Sequence, residues 1–372
     1  MKIAIFVRIL WIAGAPRIAI REAKELSKLG HDVKLIFLRR SNAFFGYEDM
    51  LDGIDYEIIA DSNKSLLVPL YDYLTGKFVP DKKGEGRVDY NLIRKIPYIA
   101  RNEKADIVIC HDQYTGIGGY YAFKKFGIPY NVVLHERVDI ELRTILHKLE
   151  DRYMKKTLQN ACRVTAMTDK IGRTAFEQHG IRCEVSYPGL DFREFNKFEN
   201  KENTLITISF WSSWRRPMFY LDVLERLPDF TLYMVGNWID KNLRNEFVEK
   251  IEQRNLSKRV ILISGIRESE LRILYDKSKF VVRFGYGEYG VAMAVIEGLQ
   301  SGVPVIINKE LGSSEFVEKY GVGQIIEELD PVKVSNSITR LNNEASYSEI
   351  QTRILKLETD YSWVEHAKKL IC

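Results

Sequence analysis

The chain lacks the features of several protein classes. It contains four cysteines, Cys110, Cys162, Cys183 and Cys372, and none of them forms a C-x-x-C pair. This spacing offers neither a disulfide framework nor a zinc ribbon, and it fits a reducing, cytoplasmic environment. No apolar run approaches the roughly 18–20 residues that are needed to span a bilayer. Secreted disulfide-rich proteins and integral membrane proteins are therefore not expected.

The chain also lacks a strong charge of one sign. Lys and Arg number 55 against 51 Asp and Glu, which gives a net charge of +4. A general nucleic-acid-binding protein is usually much more basic, so we expect no nucleic-acid partner. The 372 residues are 45% hydrophobic, with a mean hydropathy of −0.21. At roughly 100–200 residues per domain, this length predicts two domains.

Short apolar runs alternate with segments of helical period along the chain. The first run, Ile3–Val7, is rich in β-branched residues, and Arg8 interrupts the apolar stretch that would otherwise resemble a signal peptide. A helix opened by Pro16 and closed by Gly30 follows it. Further strands are predicted at Val33–Leu38, Ala105–Cys110, Tyr130–Leu134, Arg163–Thr168, Cys183–Tyr187, Thr204–Phe210, Thr231–Val235, Val260–Ser264, Phe280–Phe284, Val303–Asn308 and Val322–Ile326.

Strands that alternate with helices predict an α/β fold with parallel, doubly wound sheets. A polar stretch at residues 190–203 divides the strands into two series. We therefore expect two Rossmann-like domains, at residues 1–195 and 196–360. Ligands of such sheets bind beyond the carboxyl ends of the strands, so a site is expected in the cleft between the domains. Residues 40–100 are irregular and carry no clear prediction.

Several residues at the ends of predicted strands are candidates for a site. Gly14 lets the backbone approach a ligand, and the helix N-terminus beside it can bind an anion. His135, and less strongly His111, could donate to a substrate hydroxyl or act as a general acid or base. Arg215 and Arg216 precede a helix, where a guanidinium can bind a phosphate in a bidentate manner. Each feature also has a plain structural explanation: a tight turn, a strand-end hydrogen bond or a solvated basic pair.

The turn GYGEYG, residues 285–290, fits the G-x-G-x-x-G pattern of dinucleotide-binding proteins. Glu310 lies about 20 residues downstream, where such proteins carry an acidic ribose ligand. This pattern would indicate an NAD-dependent oxidoreductase. However, the turn belongs to the fourth unit of its series rather than the first, and Glu288 lies in the loop that would hold a pyrophosphate.

The same region resembles the donor site of a known family. The segment EYGVAMAVIEGLQSGVPV, residues 288–305, followed by Gly312-Ser313-Ser314-Glu315, is similar to the signature of the GT4-type, retaining glycosyltransferases with the GT-B fold. The segments AGAPR, GIPYNVVLHE, VSYPGLDFREF and YSWVEHAKKL resemble other parts of that family in the same order. The resemblance covers most of the chain, although residues 40–100 match no segment of the family.

The resemblance implies an enzyme that moves a sugar from a nucleotide sugar to a hydroxyl of a glycan or a lipid-linked acceptor, with retention of configuration. It implies no cofactor beyond the donor itself, most simply a UDP- or GDP-sugar. It also implies that residues 361–372 form a helix that packs back on the first domain. Because no Asp-x-Asp motif is present and arginines can neutralise a diphosphate, no metal is expected. A non-catalytic relative that binds a nucleotide sugar or glycan is the further alternative.

The resemblance also implies roles for individual residues. Glu297 would accept hydrogen bonds from the ribose hydroxyls, and Ile266 would lie beside the base. Arg215, Arg216 and amides near Gly14 would neutralise the diphosphate. The transferred sugar would be surrounded by Glu288, Tyr289 and Gly290. His135 would contact the sugar or the leaving phosphate.

Two departures from the family pattern affect these assignments. The family separates two glutamates by seven residues, whereas eight residues separate Glu288 from Glu297. Tyr289 therefore occupies the family's first position, and whether it or Glu288 serves there stays open. In addition, Ser209-Phe210-Trp211 stands where the family usually carries an arginine.

Residues 142–161 form a basic helical stretch that could contact a membrane. It carries Arg143, Lys148, Arg152, Lys155 and Lys156 together with leucine and tyrosine. Such a helix can lie on an anionic bilayer and give access to a lipid-linked acceptor. The alternative is a solvated face packed on the sheet, since acidic residues within the stretch dilute its charge.

Overall fold

The computed structural model describes residues 1–11, 13–41, 48–60, 90–138, 145–191 and 195–371. The chain divides into two compact units. Unit 1 comprises Met1–Gly189 and Trp363–Cys372, and unit 2 comprises Leu190–Ser362. The division after Gly189 lies six residues before the predicted domain end at residue 195. The division after Ser362 lies two residues after the predicted domain end at residue 360.

Unit 1 contains a parallel sheet. Its strands are β1 (Lys2–Leu10), β2 (Asp32–Arg40), β3 (Tyr56–Ile58), β4 (Ile107–His111), β5 (Tyr130–Leu134), β6 (Arg163–Ala166) and β7 (Glu184–Val185). In the described part of the chain, the order of these seven strands is β3-β2-β1-β4-β5-β6-β7. The order reverses beside β1, where Ile5 lies between Leu35 and Ile109. Because helices cover both faces, the central strands are apolar along their length.

The helices of unit 1 connect successive strands. They are α1 (Gly14–Lys28), α2 (Glu48–Leu51), α3 (Tyr90–Ile93), α4 (Ile96–Asn102), α5 (Gln113–Phe126), α6 (Ile145–Gln159), α7 (Asp169–His179) and the terminal α15 (Trp363–Lys368). In the structure α15 contacts α1. The chain beyond it is held by Asn131, whose amide donates to Leu370 O at 2.6 Å, and by Arg163, which donates to Lys369 O at 2.6 Å.

Unit 2 repeats the arrangement. Its strands are β8 (Glu202–Ile208), β9 (Thr231–Val235), β10 (Val260–Ile263), β11 (Ser278–Arg283), β12 (Val305–Asn308) and β13 (Gly323–Ile326), in the order β10-β9-β8-β11-β12-β13 within the described residues. Its helices are α8 (Pro217–Leu224), α9 (Lys241–Gln253), α10 (Glu268–Lys277), α11 (Met293–Gln300), α12 (Ser314–Tyr320), α13 (Pro331–Leu341) and α14 (Glu344–Lys356). Every strand pairing in both sheets is parallel.

An aromatic core fixes the first loop of unit 2. Trp211 follows β8 and is fully buried, with its indole Nε1 donating to Val235 O at 3.1 Å. Its ring meets Tyr220 of α8 edge-on, at 5.6 Å between centroids. Since a buried indole N–H needs a partner, this bond and the packing hold the β8–α8 loop to the sheet.

The prediction of two doubly wound α/β domains is confirmed. All twelve predicted strands are present, and the bounds of β5 and β9 match the predicted ones. The sequence did not predict β3, because this short edge strand exposes Tyr56 and Glu57 and so has no apolar run. Most of residues 40–100 lie outside the described residues. Among the residues that are described, no helix combines the length and the apolar character needed to cross a membrane.

Gly189, the last residue of unit 1 before unit 2, provides a test of the packing around α15. A Cβ placed there would lie 2.4 Å from the Cα of Trp363, and backbone atoms have no room to move away. We expect Gly189→Ala to lower the free energy of unfolding by about 1–3 kcal/mol in urea denaturation, because overpacking strains a filled site. The matched control is Gly172→Ala in α7, whose Cβ would make ordinary contacts, the closest at 3.5 Å. Equal stabilities of the two variants would contradict this account.

Candidate active site

Two loops at the carboxyl end of the unit 2 sheet carry most of the predicted residues. One follows β8 and includes a short turn of 3-10 helix, Ser213–Arg215. The other follows β11 and includes Gly285 and Glu288. The amide of Tyr286 donates to Trp214 O at 3.1 Å, which joins the two loops. Gly285 has a φ of +154°, and a Cβ there would lie 2.8 Å from Trp214 O, so this close approach requires glycine.

The Glu288 carboxylate lies between two guanidinium groups. Arg283, the last residue of β11, donates to it from Nε at 3.2 Å and from Nη2 at 3.1 and 3.2 Å. Arg215 donates to the same carboxylate from Nη1. The second Nη of Arg283 donates to Ile208 O, at the end of β8. Two cations against one anion leave this buried cluster with an excess positive charge.

The charge state of Glu288 follows from this arrangement. Burial alone would raise the pKa of Glu288, but Arg283 and Arg215 outweigh it and hold the pKa below the usual value. Burial also lowers the pKa of Arg215, and the neighbouring Arg283 acts in the same direction. Glu288 is therefore ionised near neutral pH, and both guanidinium groups depend on it for compensation.

Arg216 has a different environment from its neighbour. It adopts left-handed backbone angles, with φ of +48°, and it precedes Pro217, the first residue of α8. Its Nη1 donates to the hydroxyl of Tyr286 at 2.5 Å, and its guanidinium lies 5.4 Å from the centroid of that ring. The predicted basic pair thus separates into a half-buried Arg215 beside Glu288 and a half-buried Arg216 on exposed Tyr286.

The loop from Glu288 to α11 is held on one side by Gly312 and Ser313. The amide of Gly312 donates to Glu288 O at 2.9 Å, and a Cβ at Gly312 would lie 1.9 Å from Tyr289 O. The amide of Ala292 donates to Ser313 Oγ at 3.1 Å. These contacts place the half-buried Tyr289 and the buried Gly290 just before the start of α11.

The predicted ribose and base ligands lie on other elements of unit 2. Glu297 lies on α11 and accepts a hydrogen bond from the Tyr275 hydroxyl at 2.9 Å. Ile266 lies in the loop between β10 and α10 and is half-buried. Neither residue takes part in the cluster of Arg215, Arg283 and Glu288.

In unit 1, His135 ends a chain of buried polar groups. Its Nε2 lies 2.9 Å from Nδ1 of His111, and the two rings are stacked at 5.1 Å. Nε2 of His111 lies 2.6 Å from Oε2 of Glu22, and Oε1 of Glu22 lies 2.8 Å from Nε2 of His366 on α15. Nδ1 of His366 then lies 3.0 Å from Tyr187 O. The candidate His135 is therefore connected to the terminal helix through Glu22.

Two further groups lie at the carboxyl end of the unit 1 sheet. Gly14 is the first residue of α1, and Ala13 at the N-cap makes no side-chain capping bond. Asp112 follows β4 with a strained φ of +102° and caps α5, accepting from the amides of Tyr114 and Thr115. Nε of Arg8 lies 3.0 Å from the other oxygen of Asp112. Across the described ranges, no three His, Cys, Asp or Glu side chains are arranged to hold a metal ion.

Three residues of these clusters were not predicted from the sequence. Arg283 interrupts the apolar run of β11 at its end, and Glu22 lies three residues after Ala19 and four before Leu26 on the apolar face of α1. His366 shares a face of α15 with the buried Trp363. In each case a charged or titratable residue on a buried face was the available signal.

Two doubly wound units, each with charged groups at the carboxyl edge of its sheet, have the architecture of the GT-B transferases. A family model described as Glycosyltransferase Family 4 matches residues 12–194, and one described as Glycosyl transferases group 1 matches residues 190–355. Together the two models match residues 12–355. The chain belongs to the glycosyltransferases that these models describe, and the prediction of a glycosyltransferase is confirmed. The comparisons give no support to the oxidoreductase alternative.

Individual relatives are distant. The spore coat protein SA of Bacillus subtilis is 24% identical over 58% of this chain and 65% of its own length, a little under two thirds. The UDP-Gal:alpha-D-GlcNAc-diphosphoundecaprenol alpha-1,3-galactosyltransferase of Escherichia coli is 23% identical over 90% of this chain and 86% of its own. The crystal structure of Anabaena HepE with UDP and glucose superposes with a TM-score of 0.75 at 18% identity, covering 99% of this chain and 98% of HepE.

The Glu288 cluster predicts a specific dependence of stability on pH. The folded state holds the pKa of Glu288 below its ordinary value, so ionised Glu288 stabilises the fold at pH values above that ordinary pKa. This contribution is lost as the pH falls through the lower, folded-state pKa. We expect Glu288→Gln to lower the free energy of unfolding by about 3 kcal/mol near neutral pH, and by less in acid, where the wild type is also protonated.

Urea denaturation of both proteins between about pH 7 and about pH 3 measures this difference. The control is Glu349→Gln, which removes an exposed ion pair with Arg353 and should change stability by less than about 1 kcal/mol. A deficit for Glu288→Gln that stays constant over the whole pH range would show that its carboxylate is not the compensating charge.

Proposed function

We propose that the chain transfers a sugar from a nucleotide-sugar donor to a hydroxyl of a glycan or lipid-linked acceptor, with retention of configuration and without a required metal. The observation that carries this proposal is the excess positive charge of the Arg215, Arg283 and Glu288 cluster at the carboxyl edge of the unit 2 sheet. A diphosphate that leaves the sugar gains negative charge, and fixed cations stabilise charge that develops in the transition state.

Arg215 has the properties needed to bind the diphosphate. Its side chain is largely buried, so its interaction with an anion is weakly screened. Its Nε is buried and makes no hydrogen bond with the described residues. Arg215 therefore keeps a donor for a phosphate oxygen, and Arg283 alone can still compensate Glu288. In this proposal Arg216 and the amides before α11 contribute further positive potential.

The proposed nucleotide is a uridine or guanosine diphosphate. The E. coli relative is named for UDP-galactose, and HepE was crystallised with UDP and glucose, which favours a UDP-sugar. Glu297, half-buried on α11, would accept from the ribose hydroxyls, and Ile266 would lie beside the base. Glu288, Tyr289 and Gly290 would face the transferred sugar, and His135 would contact the sugar or the leaving phosphate.

Ligand-induced stabilisation tests the donor class. We expect UDP, or else GDP, to raise the thermal unfolding temperature, whereas NAD should not, because a ligand stabilises only the state that binds it. Chelation of divalent metals should not remove the effect. Incubation with the matching nucleotide sugars should then release the nucleoside diphosphate, and product NMR would report the anomeric configuration. Stabilisation without turnover for any sugar would favour a non-catalytic relative, and stabilisation by NAD alone would refute the proposal.

Variants locate that binding at the proposed residues. Glu297→Ala should weaken UDP or GDP binding by roughly one to two decades, the cost of losing hydrogen bonds to a charged acceptor. Tyr275→Phe is the matched control, since it removes the hydrogen bond to Glu297 and leaves the carboxylate in place. Arg215→Ala should reduce both diphosphate binding and turnover. Equal affinities for Tyr275→Phe and Glu297→Ala would remove Glu297 from the site.

Peripheral membrane contact through unit 1 is the second part of the proposal. On α6 the residues Met154, Thr157 and Leu158 are buried, so the opposite face is exposed. That face carries Lys148, Leu149, Arg152, Tyr153, Lys155 and Lys156. Leu149 and Tyr153 are 47% and 46% exposed. We name this set the α6 outer face.

The acidic residues of α6 do not neutralise the α6 outer face. Glu150 is buried and accepts from the Tyr90 hydroxyl at 3.2 Å. Asp151 is half-buried, with Oδ1 3.7 Å from Nε2 of the buried His179. The exposed Tyr121 of α5 lies beside Tyr153; burial and this neighbour raise the pKa of Tyr121. Aromatic and basic side chains on one surface are typical of helices that bind anionic bilayers.

Sedimentation with vesicles tests this contact. We expect the protein to sediment with phosphatidylglycerol vesicles at low salt and to stay in the supernatant with phosphatidylcholine vesicles. A Leu149→Glu/Tyr153→Glu variant should lose binding. The matched control is Val332→Glu/Leu355→Glu, which places the same charges at exposed apolar positions of unit 2. No sedimentation of the wild type with either vesicle, even at low salt, would exclude this part of the proposal.

A further inference from the structure

The chain of polar groups behind His135 restricts hydrogen positions because each member lies within 3.0 Å of the next. Nδ1 of His366 lies 3.0 Å from Tyr187 O and 2.9 Å from Ser186 Oγ, and its Nε2 lies 2.8 Å from Glu22. A carbonyl and a carboxylate accept only, so both nitrogens of His366 must carry hydrogen. His366 is then the cation that compensates Glu22 in the interior.

Glu22 determines the tautomer of His111. Burial alone would raise the pKa of Glu22, but His111 and His366 outweigh it, so the pKa lies well below its usual range. The ionised carboxylate can only accept, and Nε2 of His111 lies 2.6 Å from it. A lone pair on Nε2 would be repelled by the carboxylate at this distance. In neutral His111 the hydrogen is therefore on Nε2, and Nδ1 carries the lone pair.

The tautomer of His111 in turn determines which nitrogen of His135 carries hydrogen. Nδ1 of His111 can accept only if Nε2 of His135, 2.9 Å away, donates. Burial is the main cause that lowers the pKa of His135 to about 3, so its ring is neutral. With the hydrogen on Nε2, Nδ1 of His135 carries a lone pair, and it makes no hydrogen bond with the residues described in the structure.

We propose that Glu22 and His111 are positioning residues that hold His135 in its Nε2–H tautomer, so that its Nδ1 accepts a hydrogen bond from a sugar hydroxyl. A phosphate oxygen, which only accepts, would be repelled by that lone pair. The inference rests on the proposed sugar transfer, and it selects the sugar over the leaving phosphate as the partner of His135. Through His366, the terminal helix α15 supports the same network.

Ring 15N NMR of the full-length protein tests the network without any turnover. We expect both His111 and His135 to be neutral and protonated on Nε2 near neutral pH. In Glu22→Leu, no acceptor faces Nε2 of His111. An N–H that is buried without an acceptor costs more than a bare lone pair, so His111 and then His135 should shift to the Nδ1–H tautomer. A wild-type His135 protonated on Nδ1, or tautomers unchanged in Glu22→Leu, would overturn the proposal.

Substitution of His111 gives a second measurement should Glu22→Leu fail to fold. His111→Asn can still accept from His135, whereas His111→Phe cannot, so Asn should retain the Nε2–H tautomer and Phe should lose it. For transfer, Glu22→Leu and His111→Phe should each lower kcat on the order of tenfold, with a smaller change in the KM for the donor. Equal kcat values for the Asn and Phe variants would overturn the positioning role.

The control is Asp151→Asn, which changes another carboxylate beside a buried histidine of unit 1, His179. It should leave the tautomer of His135 and the kcat unchanged; an equal loss would identify a general effect of destabilisation and overturn the proposal. If no nucleotide sugar is turned over, the proposed function fails, whereas the tautomers still decide whether the network acts as described.

Discussion

Two carboxylates buried beside the sheet edges, Glu288 in unit 2 and Glu22 in unit 1, must each be compensated by neighbouring cations. Removing a carboxylate from water costs several kcal/mol, so each is retained only where donors surround it. Around Glu288 these donors come from β11 and the β8–α8 loop. Around Glu22 they come from β4 and α15. The compensation therefore connects segments that are distant in the sequence, and it fixes the loops and helices next to each sheet edge.

The two buried carboxylates are compensated by different cations, and the chemistry of the two clusters differs as a result. Guanidinium groups stay charged at all physiological pH values, so a single carboxylate between Arg215 and Arg283 leaves excess positive charge for an anion. Imidazoles can be neutral or charged, so Glu22 pairs with one charged ring and orders the hydrogen on the next. One cluster can bind a charged group, and the other can set the direction of hydrogen bonds.

The sequence predicted the strands well because apolar, β-branched runs in a parallel sheet are buried on both faces. It also predicted Arg215 and His135 as site residues, since loops carry polar groups at the ends of such runs, and the family resemblance added Glu288. It could not predict which of these groups touch. Glu288 and its partner Arg283 are five residues apart, but the contact of Glu288 with Arg215 spans 73 positions. That contact depends on how two loops approach, and only the close passage at Gly285 permits it.

The extra residue between Glu288 and Glu297 can be explained by the contacts that hold the loop after β11. The reciprocal bonds between Gly285 and the Asn308 amide, at 3.1 and 2.9 Å, fix the start of the loop, and Gly312 fixes its end. Within those limits the Glu288 side chain turns toward Arg283 in its own unit, and the half-buried Tyr289 occupies the position eight residues before Glu297. Glu288 can face a sugar only if Arg215 turns to the diphosphate and leaves part of the carboxylate uncovered. Donor binding and the orientation of Glu288 would then be a single coupled event, because both depend on the position of Arg215.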